Sequence, residues 1–412
     1  MTRLKVLISA YACEPGLGSE PGVGWNLACS LGTLHDVWVI TRANNRSSIE
    51  SALADAPMAS VHWVYYDLPK TVRALKRGQF GVRPYYYLWQ IGILRVARQL
   101  HEDVKFDVVQ HATFAKYWSP SLLSRINAPF VFGPVGGGES APFAFWMGFG
   151  FRGVAYETAR HLLRWLSERD PMVRRTLRES EAVLVTTEEA AARVASIGAE
   201  GVHVLPEAAL SQQEIDELGR RAEMSSPDRP LRFVSMGRLL HFKAFDLALR
   251  AFADTRLEDA EFWIVGAGPK RASLERLSAR LGIAGRTRFL GALPRKDALD
   301  VLCQCDILVH PSLHESGGWV CLEAMAAARP VICMDLGGTA VQVTEKTGIK
   351  IPALSRSQAV QGIASAMQLL GGDPVLRATL GQGGRRRVRE SFEWTARALE
   401  ITGVYEDVVG RQ

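Results

Sequence analysis

Residues 305–335 read CDILVHPSLHESGGWVCLEAMAAARPVICMD. CDILVHP is a short apolar run of strand length, and PVICMD is a second one. Between them lie a polar loop from Ser312 to Trp319 and a helical pattern, VCLEAMAAA. Strand, loop, helix and strand in this order form one unit of a parallel sheet covered by helices. Glu315 and Glu323 stand on either side of the pair Gly317-Gly318. Glycine pairs break helices, so these carboxylates are not rungs of one helical ladder. Glu315 belongs to the loop, and Glu323 to the start of the helix that follows.

The same rhythm runs outward in both directions. LKVLISA, DVWVIT, VHWVYY, FDVVQHA, PFVFGPV and AVLVTT are expected strands in the first half. LRFVSMG, EFWIVGAG, TRFLGAL, CDILVHP and PVICMD are expected in the second. Between the halves, PEAALSQQEIDELGRRAEMSSPDRP loses the strand rhythm. The expected organisation is α/β: a Rossmann-like domain over 1–206, a linker over 207–230, and a second Rossmann-like domain over 231–388. Two such domains would face each other across a cleft, a common place for a ligand.

The length of 412 residues exceeds one ordinary core and calls for two or three domains. A net charge of +6 favours anionic partners only weakly. No finger, homeodomain or ribonucleoprotein signature accompanies it, so a nucleic-acid partner is not expected. Cys13, Cys29, Cys303, Cys305, Cys321 and Cys333 form no CxxC pair and sit mostly in apolar runs. Buried thiols of a reducing compartment are expected. The opening MTRLKVLISAYACEPG carries an apolar run too short for a secretory signal, and it reads as a first strand. With no stretch of spanning length, a cytoplasmic protein is expected, touching a membrane at most peripherally.

Ligands of open α/β sheets bind beyond the carboxyl ends of strands, which directs attention to those loops. EPGLGSEPGVGW follows the first strand, and its glycines allow backbone amides to approach an anion at the helix start expected near Gly22. Tight strand-to-helix packing explains the same glycines. The spacing is not GxGxxG, and the second strand ends in VITR, without the acid that a ribose would want. Arg42 would suit a 2′-phosphate, so an NADP-dependent oxidoreductase or sugar-nucleotide epimerase is weakened and not removed. In SMGRLLHFKAFDLALRAF, Arg238 and Lys243 follow a strand beside Gly237. Two cations there can neutralise a diphosphate without a metal. Around Gly317, Gly318 and Trp319, amides face outward at the positive end of a helix. Carboxylates for hydroxyls at both ends and positive groups for phosphates in the middle fit a nucleotide sugar.

Together these residues resemble the family 4 glycosyltransferases, retaining enzymes of the GT-B fold. The usual family string is Glu, Gly, aromatic, Gly and an apolar residue, with a second Glu inside LEAMA. ESGGWVCLEAMA keeps both glutamates, Gly318 and the helix. It places Ser316 for glycine and Gly317 for the aromatic, and Ala328 stands where a glycine often follows. The resemblance implies that Arg238 and Lys243 bind the donor diphosphate, Glu323 the ribose, and Glu315 the transferred sugar near its reacting face. Leu290 would pack near the base, with Gly18 and Ser19 beneath the phosphates. His111, in FDVVQHATF, would hydrogen-bond the primary hydroxyl of the sugar; a buried structural histidine is the alternative. Glu139, in GPVGGGES, would border the acceptor, or belong to a plain turn. The segment 389–412 would be the helix that crosses back to the first domain.

The expected activity is transfer from a UDP or GDP sugar to a saccharide or lipid-linked acceptor, with anomeric configuration kept. No DxD-like pair stands out for a metal, and no cofactor is expected. Bacterial surface polysaccharide or glycolipid synthesis is the expected setting. A non-catalytic nucleotide-sugar binder remains as an alternative, suggested by the altered ESGG loop. From Leu68 to His101 there is no acid, seven Lys or Arg, and the group RPYYYLWQ. That composition suits an anionic membrane surface, or equally a solvated helix with a packed aromatic cluster.

Overall fold

The computed structural model of the chain describes residues 2–73, 82–114, 116–224 and 229–411. They divide into two compact units: Met1–Gly138 with Leu163–Glu207 and Trp394–Gln412, and Glu139–Leu162 with Ala208–Glu393.

The first unit holds strands β1 (Lys5–Ala10), β2 (Asp36–Arg42), β3 (Val61–Tyr66), β4 (Val108–Thr113), β5 (Phe130–Val135), β6 (Ala182–Val185) and β7 (Val202–Val204). They form one parallel sheet in the order β3-β2-β1-β4-β5-β6-β7. β4 and β5 are buried at every position, as strands covered on both faces must be. The helix Trp394–Val409 belongs to this unit: Tyr405 donates its hydroxyl proton to Gln110, and His35 Nε2 lies 2.9 Å from Thr402 Oγ1.

The second unit holds β8 (Arg232–Met236), β9 (Glu261–Val265), β10 (Thr287–Gly291), β11 (Ile307–His310), β12 (Val331–Met334) and β13 (Gly348–Ile351). Their order is β10-β9-β8-β11-β12-β13, again all parallel. The strand order reverses between β1 and β4 in one sheet and between β8 and β11 in the other. Each reversal opens a crevice at the carboxyl ends of the two strands beside it.

Every expected strand is present, with two additions. β7 and β13 are edge strands of three and four residues. They read VHV and GIKI, too short and too interrupted to stand out as apolar runs. The stretch expected as a linker instead contains the packed helix Gln212–Glu223, whose start is a capping box of Ser211 and Glu214. Ile215 and Leu218 of this helix are core residues of the second unit; residues 225–228 lie outside the described ones. Glu139–Leu162, expected in the first domain, groups with the second unit, where Phe145 and Phe149 join its core.

The group RPYYYLWQ is divided between interior and surface. Tyr85, Tyr86 and Trp89 are buried, and Tyr11 meets the last two edge-on at 5.0 Å. Packing therefore accounts for these three aromatics, while Tyr87 and Leu88 of the group, and Ile91 after it, are exposed. Residues 74–81 of the basic stretch lie outside the described ones. Five of the six cysteines are buried and Cys29 is half-buried; burial raises the Cys29, Cys305 and Cys333 thiols to about 12. Among the described residues no helix is long and apolar enough to cross a membrane.

Candidate functional site

In the second unit, the loops after β8 and β11 flank the reversal of strand order. The first begins at Gly237, whose φ of +142° is open to glycine alone at low cost. A side chain on the neighbouring Gly266 would put its Cβ 1.9 Å from the Gly237 carbonyl oxygen, so the loops after β8 and β9 pass in direct backbone contact. Arg238 follows, exposed, and its guanidinium makes no hydrogen bond or ion pair among the described residues. A short 3₁₀ turn, His241–Lys243, then carries Lys243 toward β11. Leu313 N donates to Phe242 O at 2.8 Å and ties this turn to the next loop.

Lys243 Nζ donates to Glu315 Oε2, and His310 Nε2 lies 3.1 Å from the same oxygen. Burial pushes the Glu315 carboxyl up, but Lys243 and His310 outweigh it and hold the group well below the usual carboxylate range. Glu315 is therefore an ionised carboxylate away from bulk water. Burial lowers His310 and Lys243 lowers it further, against the opposing pull of Glu315. The imidazole is then neutral, and Nε2 carries the proton that Glu315 accepts.

The backbone of the Glu315 loop rests on a second turn. Gly338 N donates to Glu315 O at 2.8 Å, and Gln342 Nε2 donates to Gly317 O. A Cβ on Gly337 would stand 2.3 Å from Glu315 O, and one on Gly338 would stand 2.0 Å from Ser316 O. The loop ends at Gly318, whose φ of +57° turns the chain into the helix Trp319–Ala326. A helix start leaves its first amides without an intrahelical acceptor and carries a partial positive charge. Glu323 sits one turn into this helix, 5% exposed. Arg295 Nη1 donates to Glu323 Oε1, while its Nη2 donates to Glu214 at 3.1 Å. Burial raises the Glu323 carboxyl, with Arg295 opposing. Leu290, on β10, packs with Trp319 against the same core cluster.

The structure thus places Arg238 and Lys243 on the loop after β8, and Glu315, Gly317, Gly318, Trp319 and Glu323 on the loop after β11 and its helix, the two loops joined through Lys243 and Glu315. Glu139 is buried at 2% exposure, its carboxylate 3.9 Å from His314 Nε2 and 4.0 Å from Arg160. Its Cγ would lie 3.4 Å from a Cβ on Gly337. Glu139 therefore adjoins the turn that supports Glu315, and is no part of a plain surface turn. His310, Arg295, His314 and Gly337 were not singled out from the sequence. A histidine closing a strand and an arginine opening the helix after β10 were the available signals.

Gly18, Ser19 and His111 belong to the first unit. The helix expected near Gly22 starts earlier, at Ser19, which has φ +63° and follows Gly18. Gly22 and Gly24 serve close packing, since a Cβ on either would stand about 2 Å from a carbonyl oxygen, of Leu17 and Ala12 respectively. Arg42 lies over the Tyr11 ring, 4.5 Å from its centroid.

His111 is 1% exposed, and both ring nitrogens have partners: Tyr86 Oη and Ser121 Oγ, each at 2.7 Å. This is a hydrogen-bonded core histidine; contact with a sugar hydroxyl would require one of these bonds to break. Burial lowers it from 6.5 to about 4. The unfolded chain then binds the proton more tightly, so this contribution to stability is present above pH 6.5 and is lost as pH falls towards 4. The loss from His111 is expected to reach about 3 kcal/mol. Urea denaturation at both ends of that range checks it, with His111→Gln expected to flatten the dependence; an unchanged slope in the variant would contradict it.

Residues 219–387 match the family described as Glycosyl transferases group 1, which covers most of the second unit. The lipopolysaccharide core biosynthesis glycosyltransferase LpsD of Rhizobium meliloti (strain 1021) is 32% identical over 191 residues, 46% of this chain and 52% of that protein. The chain thus spans about half the length of that relative. Among solved structures, sucrose-phosphate synthase (tll1590) from Thermosynechococcus elongatus superposes with a TM-score of 0.66 at 18% identity, over 100% of both chains. Alr3699/HepE of Anabaena, solved in complex with UDP, gives 0.61 at 15% identity over 98% of this chain and 100% of that one. These likenesses show the fold, two parallel-sheet Rossmann-like domains of the GT-B class.

Proposed function

We propose that the protein is a retaining, metal-independent glycosyltransferase of family 4. It moves a hexosyl or related group from a nucleoside diphosphate sugar to an acceptor hydroxyl. The observation that carries this is the joining of the loops after β8 and β11 through Lys243 and Glu315, at the point where the strand order reverses. A cation, an ionised carboxylate and a helix start are thereby presented to one ligand.

An ammonium has three donors, and one used on Glu315 leaves two for phosphate oxygens. With Arg238 and the amides at Gly318–Trp319, it stabilises the charge that grows on the departing diphosphate. Glu315 accepts hydrogen bonds from the transferred sugar, and its fixed negative charge favours the positive character developing at the anomeric carbon. Glu323, with Oε1 held by Arg295, offers Oε2 to a ribose hydroxyl. The departing phosphate oxygen takes the acceptor proton, so no separate general base is required. The UDP complex of the Anabaena neighbour supports a uridine donor, with GDP as the other purview of the same site. The LpsD relative supports a saccharide or lipid-linked acceptor in bacterial surface polysaccharide synthesis on the cytoplasmic side.

A thermal-shift series with UDP, GDP, ADP and dTDP tests the donor site. One nucleotide is expected to raise the melting temperature in proportion to the logarithm of its concentration, and its labelled sugar should then be transferred with retention. No stabilisation by any of the four would remove the proposal.

A further inference from the structure

β11 lies inside its sheet between β8 and β12, and His310 is its last residue. Ser235 Oγ on β8 donates to Val309 O at 2.5 Å, and His310 pairs in register with Cys333 on β12. Pro311 follows, its φ fixed by the ring. The imidazole therefore projects from backbone that is held on both sides, and the residue is 1% exposed.

The carboxylate it meets stands on a loop, where a Glu side chain on its own samples several rotamers. The two oxygens of Glu315 differ. Oε2 takes both partners, Lys243 Nζ and His310 Nε2, the latter at 3.1 Å; Oε1 accepts from no described residue and is left for a ligand. The other ring nitrogen of His310, Nδ1, is buried and has no partner among the described residues. A proton there would be a buried N–H without an acceptor, so the neutral ring keeps its proton on Nε2. Lys243 and Glu315 are the charged groups facing the ring. Burial raises the nearby thiols of Cys321 and Cys333, which stay neutral. Of the two groups on Oε2, Lys243 also serves the diphosphate in the donor reading. His310 has no second task.

We infer that His310 is a positioning residue: its Nε2–H fixes Glu315 Oε2 and thereby presents Oε1 to the transferred sugar, whether or not Lys243 stays on the carboxylate. The identity of the ligand rests on the donor reading; the contact does not. A histidine that only closed a strand would be interchangeable with another side chain of its size. One that positions Glu315 is replaceable only by a donor at the same place. Gln supplies it, since its amide nitrogen lies as many bonds from Cα as Nε2 does. Phe fills the space without it.

The first test needs no ligand. In Lys243→Ala protein carrying ¹³C-labelled Glu, His310 is the remaining group that holds the Glu315 carboxyl down. Adding His310→Phe should raise that carboxyl further, and adding His310→Gln should not. A carboxyl indifferent to His310→Phe overturns the inference. Long-range ¹H–¹⁵N correlation on the wild type should show the proton on Nε2; a proton on Nδ1 overturns it with no variant needed. The second test follows cleavage of UDP-, GDP-, ADP- and dTDP-glucose with water as acceptor. His310→Phe should lower kcat about 10–100-fold, the order of one hydrogen bond to a charged group, with affinity for the free nucleotides unchanged. His310→Gln should regain most of that rate. A Phe variant as fast as wild type, or a folded Gln variant as slow as Phe, overturns this role alone. No cleavage of any of the four by the wild type overturns the donor reading and this role together.

Discussion

Lys243→Ala is expected to lower turnover about 10²–10³-fold, the cost of removing one well-placed donor from a developing negative charge. The fold should survive, because Lys243 lies on a short turn at a strand end and fills no core position. Its effect reaches beyond the lost donor. In the wild type Lys243 is the main group holding Glu315 below the usual carboxylate range, against the upward push of burial. Without it that push dominates, the carboxyl titrates higher, and His310 is left as the remaining partner at 3.1 Å. The sign follows from linkage. A depressed carboxylate contributes stability above its unfolded pKa and loses it as pH falls through the folded value. Lys243→Ala should therefore shrink that contribution and move the activity profile to higher pH, while Lys243→Arg, which keeps the charge, restores part of both. Single-turnover rates across pH, with circular dichroism as a folding control, give the measurement. Turnover close to wild type in a folded Lys243→Ala protein would sink the assigned role.

Glu323→Ala is expected to raise KM for the donor about 10–100-fold, from the loss of a hydrogen bond to a charged, buried acceptor. Turnover at saturation should change little, because the ribose is remote from the reacting bond. Arg295 keeps Glu214 at 3.1 Å and is part-exposed, so the substitution strands no unpaired buried charge. The discriminating control is a donor nucleotide lacking one ribose hydroxyl. Wild type should distinguish it from the parent nucleotide by a similar factor, and Glu323→Ala should bind the two almost equally. Undiminished discrimination in the variant would place the ribose elsewhere.

The residues that identify this site were legible because each follows a strand. An apolar run ending in Gly237-Arg238 or in His310-Pro311 fixes where the sheet stops, and parallel topology makes the loop beyond it the expected place for a ligand. Glu315 and Glu323 were legible as members of a loop and a helix for the same reason. Their partners were not. His310 and Arg295 reach them across gaps of 5 and 28 residues, and no local pattern encodes such a pairing. The capping box of Ser211 and Glu214 was written in the sequence, and the helix it opens was missed because the flanking strand rhythm had stopped.

The order of apolar runs and helical patterns by itself determined two parallel sheets and the strand-end loops, since strand burial on both faces leaves a local record. Only the tertiary structure decided which way each side chain faces. His111 became a core residue with both nitrogens bonded, and Tyr86 of an apparently interfacial aromatic group became its partner. In the helix Gly150–Ser167, Glu157 and Arg164 turned inward while Phe151, Leu162 and Leu166 turned out. Periodicity specifies that a helix has two faces; long-range contacts, here those of Glu157 and Arg164, choose which one the protein covers.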